Sequence, residues 1–306
     1  MPIHFKVLPY QEVVDLVSIQ DLYNNWAKEY LRDRPNILID VDIFCQNYRS
    51  NEQTYKNFNL FEKSDTPDVY VFPIYLELFE FEGKPGYIFK CIDIYSKKYP
   101  NNKIVFHWNH DNDWARYGGQ IEQYNNVYIT NFGYTSKKYK NDILLPFWVI
   151  NTKPYSEPKR IFASFIGNPN NQLRQSFVQA LYRAKNPNFL YTQAYGEEYK
   201  KVISSSIFNL CPRGGGGDGG FSYRFFETFH LNSIPVLFSD KTIFPYDDID
   251  PDDICVKLPE CYINDINEIY NILACKDCQK MINNINKIKQ RFSLLGVQEE
   301  VYKRLS

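Results

Sequence analysis

Apolar residues along this chain gather in short continuous runs, and longer amphipathic stretches separate them. Positions 3–8 alternate weakly and read as a first strand, and runs at 68–75, 103–108, 126–130 and 142–145 read as further strands, those at 68–75 and 103–108 apolar enough to be buried on both faces. Pro73 is expected to end the strand at 68–75. Further runs at 160–165, 207–211, 234–238 and 254–258 repeat the pattern in the second half. Helical spacing fills 11–32, 172–184, 195–206, 263–273 and 279–305, and a short helix follows Ser222 and stops near Asn232. Strands alternating with helices predict parallel sheets in an α/β fold.

Pro146, Pro154 and Pro158 punctuate a polar stretch between the two halves, which reads as a linker. The chain of 306 residues has room for two α/β domains of about 150 residues each. The boundaries read as 1–152 and 153–306, with the last helix packing back on the first domain.

The densest signal is a strand–loop–helix–strand unit at 203–240. Positions 214–220 hold six glycines and one aspartate, which excludes regular structure there. A helix that starts after such a loop presents free N–H groups and a positive dipole end, which suit a phosphate. Ser222 stands where it can cap that helix. Arg224 lies in the first turn and offers a two-pronged donor to an anion. Glu227 is three residues on, about 5 Å deeper along the axis, where a carboxylate can accept from ribose hydroxyls. The plain alternative is a surface ion pair between Arg224 and Glu227. A second unit of the same kind runs from strand 160–165 through Gly167 and Asn168 to a helix with Arg174 near its start.

Two other glycine motifs are weighed. A P-loop ends in Gly-Lys-Ser/Thr, and this loop does not. The dinucleotide fingerprint is met by Gly214, Gly216 and Gly219 with Asp240 about twenty residues on, although a glycine run meets it trivially. An NAD(P)-dependent oxidoreductase therefore stays as the alternative, together with a non-catalytic nucleotide-sugar or glycan-binding module.

A formal net charge of −1 implies no general nucleic-acid affinity. No apolar stretch of signal or membrane-spanning type opens the chain, so a cytoplasmic protein without membrane insertion is expected. Seven cysteines in such a chain fit reduced thiols. Cys275 and Cys278 form a C-x-x-C late in an apparent helix, and a zinc site with Cys255 and Cys261 would need an uncommon spacing. The acidic run 247–253 reads as a solvated loop. His107 reads as a packed core histidine.

Several blocks together resemble the exostosin-like glycosyltransferases. They are Phe208-Asn209-Leu210-Cys211-Pro212-Arg213-Gly214, then Ser222, Arg224 and Glu227 at family spacing, then Ile234-Pro235-Val236, Asp240 and Phe244-Pro245-Tyr246. The likeness extends upstream to 68–73, 106–111, Asp142 to Pro146, and Arg160 to Gly167 followed by Arg174. Thr228, Phe229 and Asn232 depart from the family pattern, and the glycine loop is longer than usual. Relatives often carry a membrane anchor, so this chain reads as a compact soluble member.

The resemblance implies two Rossmann-like domains facing a cleft, the type B glycosyltransferase architecture, with the donor on the C-terminal domain. It implies an inverting transfer from a UDP-sugar to a hydroxyl of an oligosaccharide or glycoprotein acceptor. No cofactor is required beyond the donor substrate. The donor site would comprise Gly167, Asn168, Arg174, Pro212, Arg213, Gly214, Ser222, Arg224 and Glu227.

The base is expected just past a buried strand of the first domain. Glu77 stands first and Asp111 second, with His110 beside it; Glu80 also follows that strand. Asp111 and Asp113 have the spacing of a metal-binding pair, but no metal is expected, because Arg224 and the loop amides can neutralise a diphosphate.

Overall fold

The structure is a computed structural model, and it describes residues 2–8, 60–76, 79–80, 83–108, 114–132, 136–147, 149, 152–213 and 220–306. The helix expected at 11–32 lies outside these residues.

Two all-parallel sheets organise the chain. The first contains β1 (Ile3–Val7), β2 (Phe61–Lys63), β3 (Val69–Tyr75), β4 (Lys103–Trp108), β5 (Val127–Phe132) and β6 (Asp142–Leu145). Their order is β2-β1-β3-β4-β5-β6. Helix α1 (Gly86–Lys98) connects β3 to β4, and α2 (Ala115–Ile121) connects β4 to β5. The second sheet contains β7 (Ile161–Ile166), β8 (Phe189–Thr192), β9 (Ser206–Pro212), β10 (Ile234–Phe238) and β11 (Val256–Leu258), in the order β11-β10-β9-β7-β8. Its connecting helices are α3 (Gln172–Ala184), α4 (Gly196–Ser205) and α5 (Tyr223–His230). The fold is therefore two Rossmann-like α/β units.

Parallel strands need crossovers, and buried crossovers need apolar strands. In β10 all five residues are buried, and in β4 all but Lys103. The chain leaves β7 for β8 on one side and returns to β9 on the other. The second sheet thus has its switch point between β7 and β9, which pair directly. In open parallel sheets, ligands bind past the strand ends at such a point.

Three readings of the sequence change. Pro73 does not end its strand: β3 continues to Tyr75, and its register with β4 shifts between Val71 and Tyr75. A proline without an N–H is accommodated where the ladder is irregular. The stretch 279–305 is not one helix. Helix α7 (Cys278–Ile288) gives way to a 3₁₀ turn at Lys289–Phe292, and α8 (Leu294–Leu305) starts anew after Ser293, whose hydroxyl accepts from the Gly296 N–H at 3.3 Å. The C-x-x-C is not late in a helix either. Cys275 ends α6 (Ile266–Ala274), and Cys278 begins α7. Among the described residues no three His, Cys, Asp or Glu side chains converge as metal ligands.

The aromatic residues are chiefly core. Phe225, Phe226 and Phe229 of α5 are fully buried against β9 and β10, and Phe229 stacks on Phe292 at 4.7 Å. Each such side chain contributes about 1.5–3 kcal/mol through burial. One face of the first sheet packs on α1 through Ile88, Ile92 and Tyr95. The opposite face, with Ile3, Phe5, Val69, Val71, Val105 and Leu145, is covered by Val297, Val301 and Leu305 of α8.

The chain crosses between the units at 146–160 and again near Ser293. These crossings touch: Val149 forms an isolated parallel bridge with Ser293 and donates to the Phe292 carbonyl at 2.9 Å. The acidic run is more than a solvated loop. Asp247 pairs with Lys138 of the first unit and with Arg304 of α8 at 3.0 Å, and Asp248 pairs with Arg291 at 2.8 Å. At the lower edge of the second sheet, Lys159 Nζ donates to the carbonyls of Ser204, Ser206 and Asn232 at 2.8, 2.7 and 2.5 Å. Burial lowers its pKa to about 8. Asn232 has φ +55°, a conformation asparagine tolerates, so a glycine is not required there.

Candidate functional site

The loops after β7 and β9 meet at the switch point. The first begins with Gly167 and Asn168, and the second with Arg213, just after Pro212 ends β9. Helix α5 starts after the second loop, and Arg224 in its first turn reaches across to the first. Gly167 has φ +148°, and a Cβ built on it would stand 2.3 Å from Arg224 Nη2. Glycine is needed there for both reasons: the backbone is in the region that side chains avoid, and the guanidinium occupies the space. The guanidinium carbon lies 5.3 Å from the centre of the Phe165 ring, in cation–π range.

Arg224 Nε and Nη1 are buried and have no hydrogen-bond partner among the described residues. Ser222 Oγ is buried without one too. Ser222 does occupy the N-cap position of α5, with extended backbone, but its side chain makes no capping bond. A buried polar atom left unpaired costs about 1–3 kcal/mol. Three such atoms stand at one helix start, beside a glycine turn at a switch point, an arrangement whose chemistry suits an acceptor-rich anion.

Arg224 and Glu227 do not form the plain surface ion pair. Glu227 Oε2 instead accepts from the Tyr199 hydroxyl at 2.6 Å. Tyr199 belongs to α4, which packs on β7 and β9. Burial, and next the Glu227 charge, push its phenol well above the ordinary range. Beneath these residues lies a buried polar layer. Thr228 Oγ1 is 2.6 Å from the Arg224 carbonyl and 3.3 Å from Asn209 Oδ1, while Asn209 Nδ2 donates to Ser164 Oγ at 3.1 Å. The threonine that departs from the family's alanine thus fastens α5 to β9. Burial raises the Cys211 thiol to about 12, although the nearby Arg224 acts the other way. It is a neutral packing group.

The remaining donor-site candidates also converge here, with different tasks. Arg174 is buried, and its side chain donates to the carbonyls of Arg213 at 3.1 Å and Pro212 at 3.4 Å and to Asn170 Oδ1 at 3.1 Å. It props the root of the glycine loop. Arg213 Nε pairs with Glu260 at 2.7 Å. Asn168 Oδ1 accepts from the exposed Tyr195 at 3.1 Å. Asp240, the acid of the dinucleotide alternative, accepts from the Glu260 backbone N–H at 3.0 Å and caps a 3₁₀ turn. Gly214 lies outside the described residues.

Glu77, His110 and Asp111 lie outside them as well. Around them, Leu76 is buried and donates its N–H to the His107 carbonyl at 2.9 Å. Glu80 pairs with Arg116. His107 is buried in the core against Thr130, and burial lowers its pKa to about 3.

Tyr199, Tyr195 and Glu260 are the site residues that sequence reading missed. Tyr195 is the extended N-cap residue of α4 and Tyr199 lies in its first turn, so the two stand four apart at the start of one helix, the single sequence signal that pointed to them.

The Exostosin GT47 domain model matches residues 103–274, more than half of the 306-residue chain. Curated proteins give no match. Among solved structures, Anabaena Alr3699/HepE in complex with UDP and glucose has a TM-score of 0.49 at 8% identity, covering 78% of each chain. The GtfA/B complex has 0.48 at 12%, covering 78% of this chain and 56% of that one. An α1,3-fucosyltransferase with GDP-fucose has 0.39 at 13%, covering 100% and 90%. The chain thus spans a little over half the length of GtfA/B.

Proposed function

We propose, from the premise that this chain belongs to the Exostosin GT47 family of glycosyltransferases, that it transfers a sugar from a UDP-sugar to an acceptor hydroxyl with inversion. The observation that carries the reading is the Arg224 guanidinium, buried over Gly167 with two nitrogens, Nε and Nη1, that have no partner among the described residues. A diphosphate would satisfy them and Ser222 Oγ together. Glu227, one turn deeper, would accept from the ribose.

In the reaction, the acceptor oxygen attacks the anomeric carbon as the bond to the β-phosphate oxygen breaks. Negative charge grows on UDP, and Arg224 and the α5 N-terminus stabilise it in a site that is already organised. That charge is available without a divalent cation. The acceptor proton passes to a carboxylate of the first unit, with Glu77 the first choice and Asp111, flanked by His110, the second. In the sequence Glu77 directly follows Leu76, and Leu76 follows β3, which borders the switch point of the first sheet. Units 1–152 and 153–306 would then supply acceptor and donor sides of a cleft, and the acceptor would be an oligosaccharide or glycoprotein.

The test is thermal stabilisation by UDP, GDP and NAD, followed by donor hydrolysis with a panel of UDP-sugars in chelator. Stabilisation by UDP alone and slow release of UDP from one sugar nucleotide are expected. Stabilisation by NAD and not UDP would overturn the reading, and UDP binding without turnover of any donor would reduce it to a binding module.

A further inference from the structure

We infer that Tyr199 is a positioning residue: it holds one oxygen of Glu227 so that the other faces the nucleotide sugar, and thereby sets the preference for ribose over deoxyribose. This rests on the donor reading above and deepens it.

The hydroxyl-to-carboxylate distance of 2.6 Å is that of a strong, charge-assisted hydrogen bond. Both ends are fixed. Glu227 is carried on α5, which Thr228 Oγ1 ties to Asn209 Oδ1 of β9 at 3.3 Å. The Tyr199 ring packs against a small core of Ile166, Ala194, Ile203 and Leu231. A free glutamate must give up rotamer freedom to meet a ligand, whereas this one is already oriented. A carboxylate with one oxygen engaged offers the second in a defined direction to a hydroxyl donor. The high phenol pKa keeps Tyr199 a donor at physiological pH. Helix α4 repeats the arrangement at its start, where Tyr195 holds Asn168. The helix is thus a brace on which two tyrosines steady two residues of the donor loops.

The test measures binding of UDP and its 2′-deoxy and 3′-deoxy forms by titration calorimetry, with the GDP series in parallel. The native protein is expected to favour the ribose form about tenfold, and Tyr199→Phe to reduce that preference to about threefold or less. A structural role alone would weaken all forms equally. Glu227→Gln supplies the second readout. Tyr199 would hold the amide oxygen and turn the NH₂ toward the sugar, which weakens UDP binding. Adding Tyr199→Phe frees the amide to flip, so the double variant should bind UDP better than Glu227→Gln alone. An unchanged preference in Tyr199→Phe, or a double variant weaker than Glu227→Gln, overturns the inference and leaves the donor reading standing. Failure of both UDP and GDP to bind the native protein overturns the two together.

Discussion

The Arg224 guanidinium lies where a side chain on Gly167 would have to be: a Cβ there would stand 2.3 Å from Nη2. The two residues come from different strand–loop–helix units, and their contact joins the units into one site. Gly167→Ala is therefore expected to displace Arg224 and to strain the backbone at φ +148°. Nucleotide affinity should fall at least tenfold, with a stability loss of about 1–3 kcal/mol. Calorimetric titration and thermal melts measure both. Retained affinity would show that Arg224 is not held by this contact.

Arg224→Met should separate function from stability. It removes the charge that a diphosphate needs, so UDP affinity should drop about a hundredfold, corresponding to about 3 kcal/mol of charge-assisted hydrogen bonds. It also removes two buried, unpartnered donors. The nucleotide-free variant should therefore melt no lower than the native protein, and UDP should no longer raise its melting temperature. A melting point several degrees lower would mean that Arg224 serves the fold.

Much of this was legible in the sequence, and the reasons differ by element. Apolar runs located nine of the eleven strands among the described residues, most of them because a parallel strand buried on both faces has no polar side. The runs missed β2, three residues long, and β8, whose residues are half-exposed or exposed. Arg224 and Glu227 were found because a glycine loop before a helix has a direct physical meaning. The Tyr199–Glu227 contact spans 28 positions and two helices, and no local pattern encodes such a pairing. The work of Arg174 was legible only in part: position near a helix start suggested an anion, whereas its donors reach the carbonyls of Pro212 and Arg213.

Asp142 gives a pH signature. Burial raises its carboxyl from 3.8 to about 7, against the N–H groups of Tyr139 and Trp114, which act the other way. The folded pKa lies above the unfolded one, so the protonated acid stabilises the fold. That contribution is complete below about pH 4 and disappears as the pH rises through about 7. Asp142→Asn removes it. The stability of the variant minus that of the native protein should rise between pH 4 and 7 and level off above. Denaturant unfolding across this range checks it, and a flat difference would refute it.

Thr228→Ala restores the residue common in relatives. It should cost about 1–2 kcal/mol, because Asn209 Oδ1 loses a partner inside the sheet. Loosening of α5 should also weaken UDP binding by a few fold. Asn209→Ala measured in both backgrounds would show non-additive losses if the two residues act as one unit.

The paired crossings at Val149 and Ser293 carry a mechanical consequence. The chain passes twice through one spot, so the two halves are tied there as pages are at a spine. The segment from Leu294 to Leu305 belongs by connectivity to one half and by burial to the other. Cutting it off would strip the opposite half of a wall and loosen that tie at the same stroke.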